Sequence, residues 1–126
     1  MKFLLPLSLA ATLLAGQAFA DCTPPAEDVK IPDGNTATMD EMLAAKHAIK
    51  DNDDAVKTYA DCLKNELDAK IAAGGTQMKD EDKQKINVQY ANLQNAAVDK
   101  LQKLGDAFNA QVRAYKAAHP PQPPKQ

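Results

Sequence analysis

Residues 38–75, TMDEMLAAKHAIKDNDDAVKTYADCLKNELDAKIAAGG, decide the fold. Met42, Ile49, Val56 and Leu63 recur every seven residues, and Ala45, Asn52 and Tyr59 fill the intervening positions. That spacing lays an apolar stripe along one face of a helix, interrupted by a single polar residue, Asn52. Thr38 is a suitable N-cap, Glu41 three residues on completes a capping box, and Asp40 favours the first turn. Gly74-Gly75 offer the residue that ends a helix, with Lys70 in the last turns. The pattern predicts a first helix over residues 38–73.

Downstream, a second helix is expected over residues 78–118. It opens between Gln77 and Asp80, where Asp80, Glu81 and Asp82 complement the helix dipole. Its apolar residues follow an eleven-residue period in three sets: Ile86, Ala97 and Phe108; Tyr90, Leu101 and Val112; Leu93, Leu104 and Tyr115. An eleven-residue repeat advances about 3.67 residues per turn and barely supercoils. Pro120, Pro121, Pro123 and Pro124 then forbid further helix, so residues 119–126 read as a Pro-rich disordered tail. The short connection at the two glycines makes the helices antiparallel neighbours. Pairing them sets Leu63 beside Tyr90, Val56 beside Ala97 and Ile49 beside Leu104.

The same register sets Ala48 against Gly105. A glycine inside a helix costs about 1 kcal/mol relative to alanine. Gly105 therefore reads either as the site of a close backbone approach or as a kink or tolerated surface position. Asn52 faces the region of Leu101, which has no hydrogen-bonding side chain. Its amide is expected to reach a glutamine, a water or a second copy of the hairpin, or to tilt to the wet flank.

Upstream, Met1–Ala20 has the form of a secretory signal. Lys2 gives a positive start, Phe3–Leu14 is largely apolar, and Ala18-Phe19-Ala20 supplies small residues for cleavage before Asp21. The apolar run is too short to persist as a membrane anchor. Export, to a periplasm or beyond, is the expectation. Residues 21–37 carry Pro24, Pro25, Pro32 and Gly34 without a helical period, which predicts an extended leader with a turn at Pro32-Asp33-Gly34.

Two cysteines follow the signal, Cys22 and Cys62. Asp21 is unsuited to precede a lipidated cysteine, and forty intervening residues do not resemble a metal or redox pair. In an oxidising compartment the pair reads as a structural disulfide. Cys62 lies roughly 36 Å along the helix from Thr38, and the leader can reach about 53 Å when extended. It can thus run back along a row of small residues (Ala48, Ala55, Cys62, Ala69), with Val29 or Ile31 covering them. The fold class is all-α: an antiparallel two-helix hairpin with an extended N-terminal segment disulfide-bonded to the first helix.

Five pieces of sequence resemble a family of small exported helical proteins of proteobacteria. They are Ile31-Pro32-Asp33-Gly34, Tyr59, Cys62-Leu63, Asn95-Ala96-Ala97-Val98-Asp99 and Phe108-Asn109-Ala110-Gln111-Val112-Arg113-Ala114-Tyr115-Lys116. The resemblance covers most of the chain after the signal. It implies export and a helical fold, and it brings no activity and no site.

Composition narrows function by exclusion. The 126-residue chain has 15 Lys+Arg against 17 Asp+Glu, a net charge of −2 that becomes −3 without Lys2. A mild negative charge offers no phosphate-binding surface, so no nucleic-acid partner is expected, and no polybasic segment addresses anionic lipid. Serine occurs only within the signal, and no G-x-S-x-G, phosphate loop or haem-attachment motif is present. Catalytic and cofactor residues are accordingly expected to be none, and the chain reads as a non-enzyme.

His47 and Asp51, four residues apart on one helix face, form the one metal-like pair, and two ligands are too few for a closed site. Asp51-Asn52-Asp53-Asp54 imitates part of a calcium loop but lacks its glycine and its closing glutamate. The surface of helix 2 is rich in Gln and Asn, a solvated face or a protein-binding one. The expected role is an interaction or structural module, with another protein or self-association as partner. The alternative is a small-ligand or metal carrier using His47 and nearby carboxylates.

Overall fold

A computed structural model describes residues 22–121. The expected signal at residues 1–20 and the tail beyond residue 121 lie outside the described residues. Two helices account for most of what is described: α1, Met39–Gly74, and α2, Asp80–Ala118, joined through a single 3-10 turn at Gly75–Gln77. They pack against each other as an antiparallel hairpin, and a disulfide ties the leader to α1. No described helix is long and apolar enough to cross a membrane.

Local chemistry sets the boundaries. The Thr38 hydroxyl accepts from the Glu41 backbone N–H, and the Glu41 carboxylate accepts from Thr38 N–H at 2.7 Å. That hydrogen bond holds the Glu41 carboxyl below its ordinary value, as expected for an acceptor whose charged form is the bonded one. At the other end Gly75 takes φ +52°, a conformation that favours glycine, and its N–H caps the carbonyls of Ile71 and Ala72. α2 ends at His119, whose backbone N–H bonds the Tyr115 carbonyl at 2.9 Å and whose ring stacks on Tyr115. Pro120 follows directly.

The stripe on α1 is buried along almost its whole length. Met42, Ala45, Asn52, Val56, Tyr59 and Leu63 are all buried, and Ile49 is half-buried. Val56, Tyr59, Leu63, Tyr90 and Ala97 form one cluster, with Leu67, Ile86, Leu101 and Cys22 packed around it. The pairing read from the sequence places Leu63 with Tyr90 and Val56 with Ala97, and both pairs lie in this cluster. α2 contributes less. Only Tyr90 and Ala97 are buried on it, and Leu93, expected in the seam, is 42% exposed.

The leader explains the difference. It does not merely follow the small-residue row of α1; it lies against both helices. Cys22 is bonded to Cys62, Ala26 meets Asn52, Glu27 pairs with Lys100, and Gly34 meets Gln111. It therefore runs antiparallel to α1 and parallel to α2. Its turn pivots on Asp33, within the expected Pro32-Asp33-Gly34, and extends over residues 34–36: the Asp33 side chain accepts from Asn35 N–H, and its carbonyl accepts from Ala37 N–H.

Gly34 makes the close approach. A Cβ there would collide with the backbone oxygen of Gln111 and lie 2.8 Å from the Tyr115 nitrogen, and the Gly34 N–H donates to Gln111 Oε1 at 2.8 Å. Gly105, by contrast, has open space where its Cβ would be. Of the two readings of Gly105, the close approach to Ala48 is therefore excluded and the tolerated open position remains. The tight backbone crossing belongs to the leader against the last turns of α2.

Two measurements check this packing. Leu63→Ala should cost roughly 2–4 kcal/mol in urea denaturation, as for core truncation. The half-buried Leu101→Ala should cost less, and the exposed Lys64→Ala little; equal losses at all three positions would mean the helical faces are misassigned. In the same assay Gly34→Ala should destabilise by about 1–3 kcal/mol through overpacking. Gly105→Ala should stabilise by up to about 1 kcal/mol. The reverse order would place the close approach elsewhere.

Candidate functional site

The three-way meeting of leader, α1 and α2 leaves a half-open groove of about 530 Å³. One wall is a complete face of α2: Leu93, Ala96, Ala97, Lys100, Lys103 and Leu104. Those residues recur at three- and four-residue steps, so they share one side of the helix over eleven residues, about 16 Å. The opposite wall is the leader at Pro24-Pro25-Ala26-Glu27, and Asn52 and Tyr59 of α1 close the floor. The groove surface is mainly apolar, in the size range of small-molecule sites.

Each polar group has a defined place. Asn52 Nδ2 donates to the Ala26 carbonyl at 2.8 Å, although the residue is only 8% exposed. None of the destinations expected for this amide is the one used: it bonds the leader backbone. An extended Pro-containing segment has no strand partner for its carbonyls, and a helix presents no free backbone donor in mid-length. A side-chain amide on α1 supplies the missing donor. Lys100 pairs with Glu27 across the rim, and its ammonium holds the Glu27 carboxyl below the usual carboxylate range. Lys103, one turn further along, lies outside ion-pair distance of every described carboxylate.

The other candidates from the sequence are scattered. His47 and Asp51 are both exposed on α1, and no group of three potential metal ligands exists among the described residues. In the Asp51–Asp54 run, Asn52 points inward while Asp53 binds Lys57 and Asp54 binds Lys50 at 2.7 Å, as ordinary pairs on a helix surface. His119 is used in capping α2, its Nδ1 3.0 Å from the Tyr115 carbonyl.

The glutamines and asparagines of α2 are exposed, except that Gln111 is half-buried and serves the Gly34 contact. A second depression of about 390 Å³ lies between Leu63, Leu67, Asn87 and Tyr90. Lys70 stands above the Tyr90 ring there, 5.4 Å from its centroid, and burial pushes the Tyr90 hydroxyl up.

Compared with protein-family models, curated proteins and solved structures, the chain matches none of them.

The floor of the groove yields a direct test. Asn52→Ala would remove the donor to the carbonyl of the exposed Ala26 and should cost about 0.5–1.5 kcal/mol, the net worth of one hydrogen bond. Amide exchange should rise in residues 23–31 and not in the middle of α2. A uniform rise along the chain would mean that Asn52 stabilises the hairpin itself rather than the leader.

Proposed function

We propose that the chain is a small exported, non-catalytic helical protein of the cell envelope that acts by binding a partner in the groove beneath its leader. One observation carries this reading: a mainly apolar groove of about 530 Å³ lies beside the strapped leader, with lysines on one rim. A packed two-helix hairpin needs no such opening for stability, and Leu93 at 42% exposure is the kind of apolar residue that marks a contact surface. The Cys22–Cys62 disulfide and the signal-like first twenty residues support an oxidising, extracytoplasmic location, periplasmic or secreted. The sequence resemblance to small exported proteobacterial proteins points the same way. Metal carriage through His47 is less favoured, because no group of three potential ligands occurs among the described residues.

Native mass spectrometry of protein isolated from its own envelope tests the reading. The expected result is a bound partner, either a small molecule or a protein, that persists in chelator and is absent from an Ala96→Trp variant whose indole fills the groove. A bare mass for both proteins would count against groove binding. An adduct removed by chelator and lost in His47→Ala would establish the metal carrier instead.

A further inference from the structure

We infer that the groove takes a free, unbranched amphipathic carboxylate, its headgroup at Lys103 and its apolar chain lying toward Leu93. This inference rests on the binding role proposed above and names the class of ligand. The polar groups of the groove gather toward one end, where Leu104 also lines it. At one end stand Lys103 and Asn52, the level of Asn52 being fixed by its bond to Ala26 and by the neighbouring Glu27–Lys100 pair. Asn52 Nδ2 carries two N–H groups and spends one of them on Ala26. Its second N–H and the Lys103 ammonium are donors for an anion.

Toward the other end the lining is Leu93, Ala96, Ala97 and the ring of Tyr59, faced by Pro24 and Pro25. Those side chains bring no charge, and the distance from Lys103 back to Leu93 is about 15 Å along α2.

Charge complementarity selects the headgroup. Glu27 already seats a carboxylate on this rim against Lys100, so the geometry of the lip accepts that group. Lys103 repeats the ammonium three residues on, without a described carboxylate of its own. One unneutralised cation matches one anionic charge. A cationic amphiphile would meet an excess of one positive charge there, since Lys100 and Lys103 stand with Glu27 alone among the lining residues. An acidic amphipathic peptide remains as the alternative occupant, and the experiment discriminates against it.

The test is titration of the disulfide-bonded protein with decanoate, followed by backbone and methyl NMR. Decanoate should shift Leu93, Ala97 and Lys103, and decyltrimethylammonium should bind at least roughly tenfold more weakly. Lys103→Glu should weaken decanoate by roughly tenfold, the worth of one charge-assisted hydrogen bond, and should improve the cation. The inference is overturned if both amphiphiles bind alike or if Lys103→Glu leaves decanoate unchanged. It is also overturned if anionic vesicles or an acidic amphipathic peptide displace decanoate from the same residues. In those cases the groove still binds and the broader reading survives. Decanoate binding that is indifferent to Ala96→Trp removes both, because the ligand then sits elsewhere.

Discussion

The attachment of the leader at both ends is the constraint on which the rest of this molecule depends. Two helices of 36 and 39 residues in contact along one seam bury little, and no described side chain here is fully sealed from solvent. A hairpin of that kind is marginal by itself. The leader changes this by closing a forty-residue loop at Cys22–Cys62 and by locking Gly34 onto the backbone of α2. Loop closure alone contributes about 4 kcal/mol in the chain-entropy treatment. Between those anchors the polar attachments are one amide and one ion pair, with Val29 and Ile31 half-buried beside them, so the segment is a strap with firm ends and a more lightly held middle.

The periodic parts of the structure were legible in the sequence because they depend on local rules. Seven-residue spacing from Met42 to Leu63, the Thr38–Glu41 box and the two glycines at 74–75 each act within a turn or two of helix, and the structure follows them closely. The disulfide was legible for a different reason: with two cysteines beyond the signal-like stretch and a leader long enough to join them, reach leaves few choices. What escaped was everything involving the leader and α2 together. Gly34 was read only as a turn former, and a close approach was considered at Gly105 alone, yet the collision a Cβ would suffer is at Gly34. Helical pairing cannot foresee this, since the approaching backbone belongs to a segment without a period. Leu93 was misplaced for the same reason. Its eleven-residue set is helical in phase, but the leader displaces α1 as the neighbour of that face, and the wall stays open.

Asn52 joins these two levels. In a helix pair considered alone, a polar residue in the seam is a cost that must be justified by register or association state. With the leader in place its partner is the carbonyl of Ala26, and the residue becomes the lateral attachment of a chain segment that has no secondary structure of its own. A leucine at position 52 would suit the stripe better and the strap worse. The single break in an otherwise regular pattern therefore marks where a third body enters the core.

That arrangement also explains why the groove exists where it does. Pro24 and Pro25 have no backbone N–H to offer, so the leader cannot close down on α2 through backbone hydrogen bonding at that level. Small residues opposite them, Ala96 and Ala97, leave the gap unfilled. A larger side chain at the exposed Ala96 would add burial at this level, whereas Ala97 is already buried in the Val56 cluster and has no room for one. Instead the apolar wall stays accessible, with Glu27–Lys100 bridging its rim and Lys103 beyond. A ligand that enters would bring the apolar surface missing from this level of the core, so binding and leader docking should reinforce each other through the same contacts.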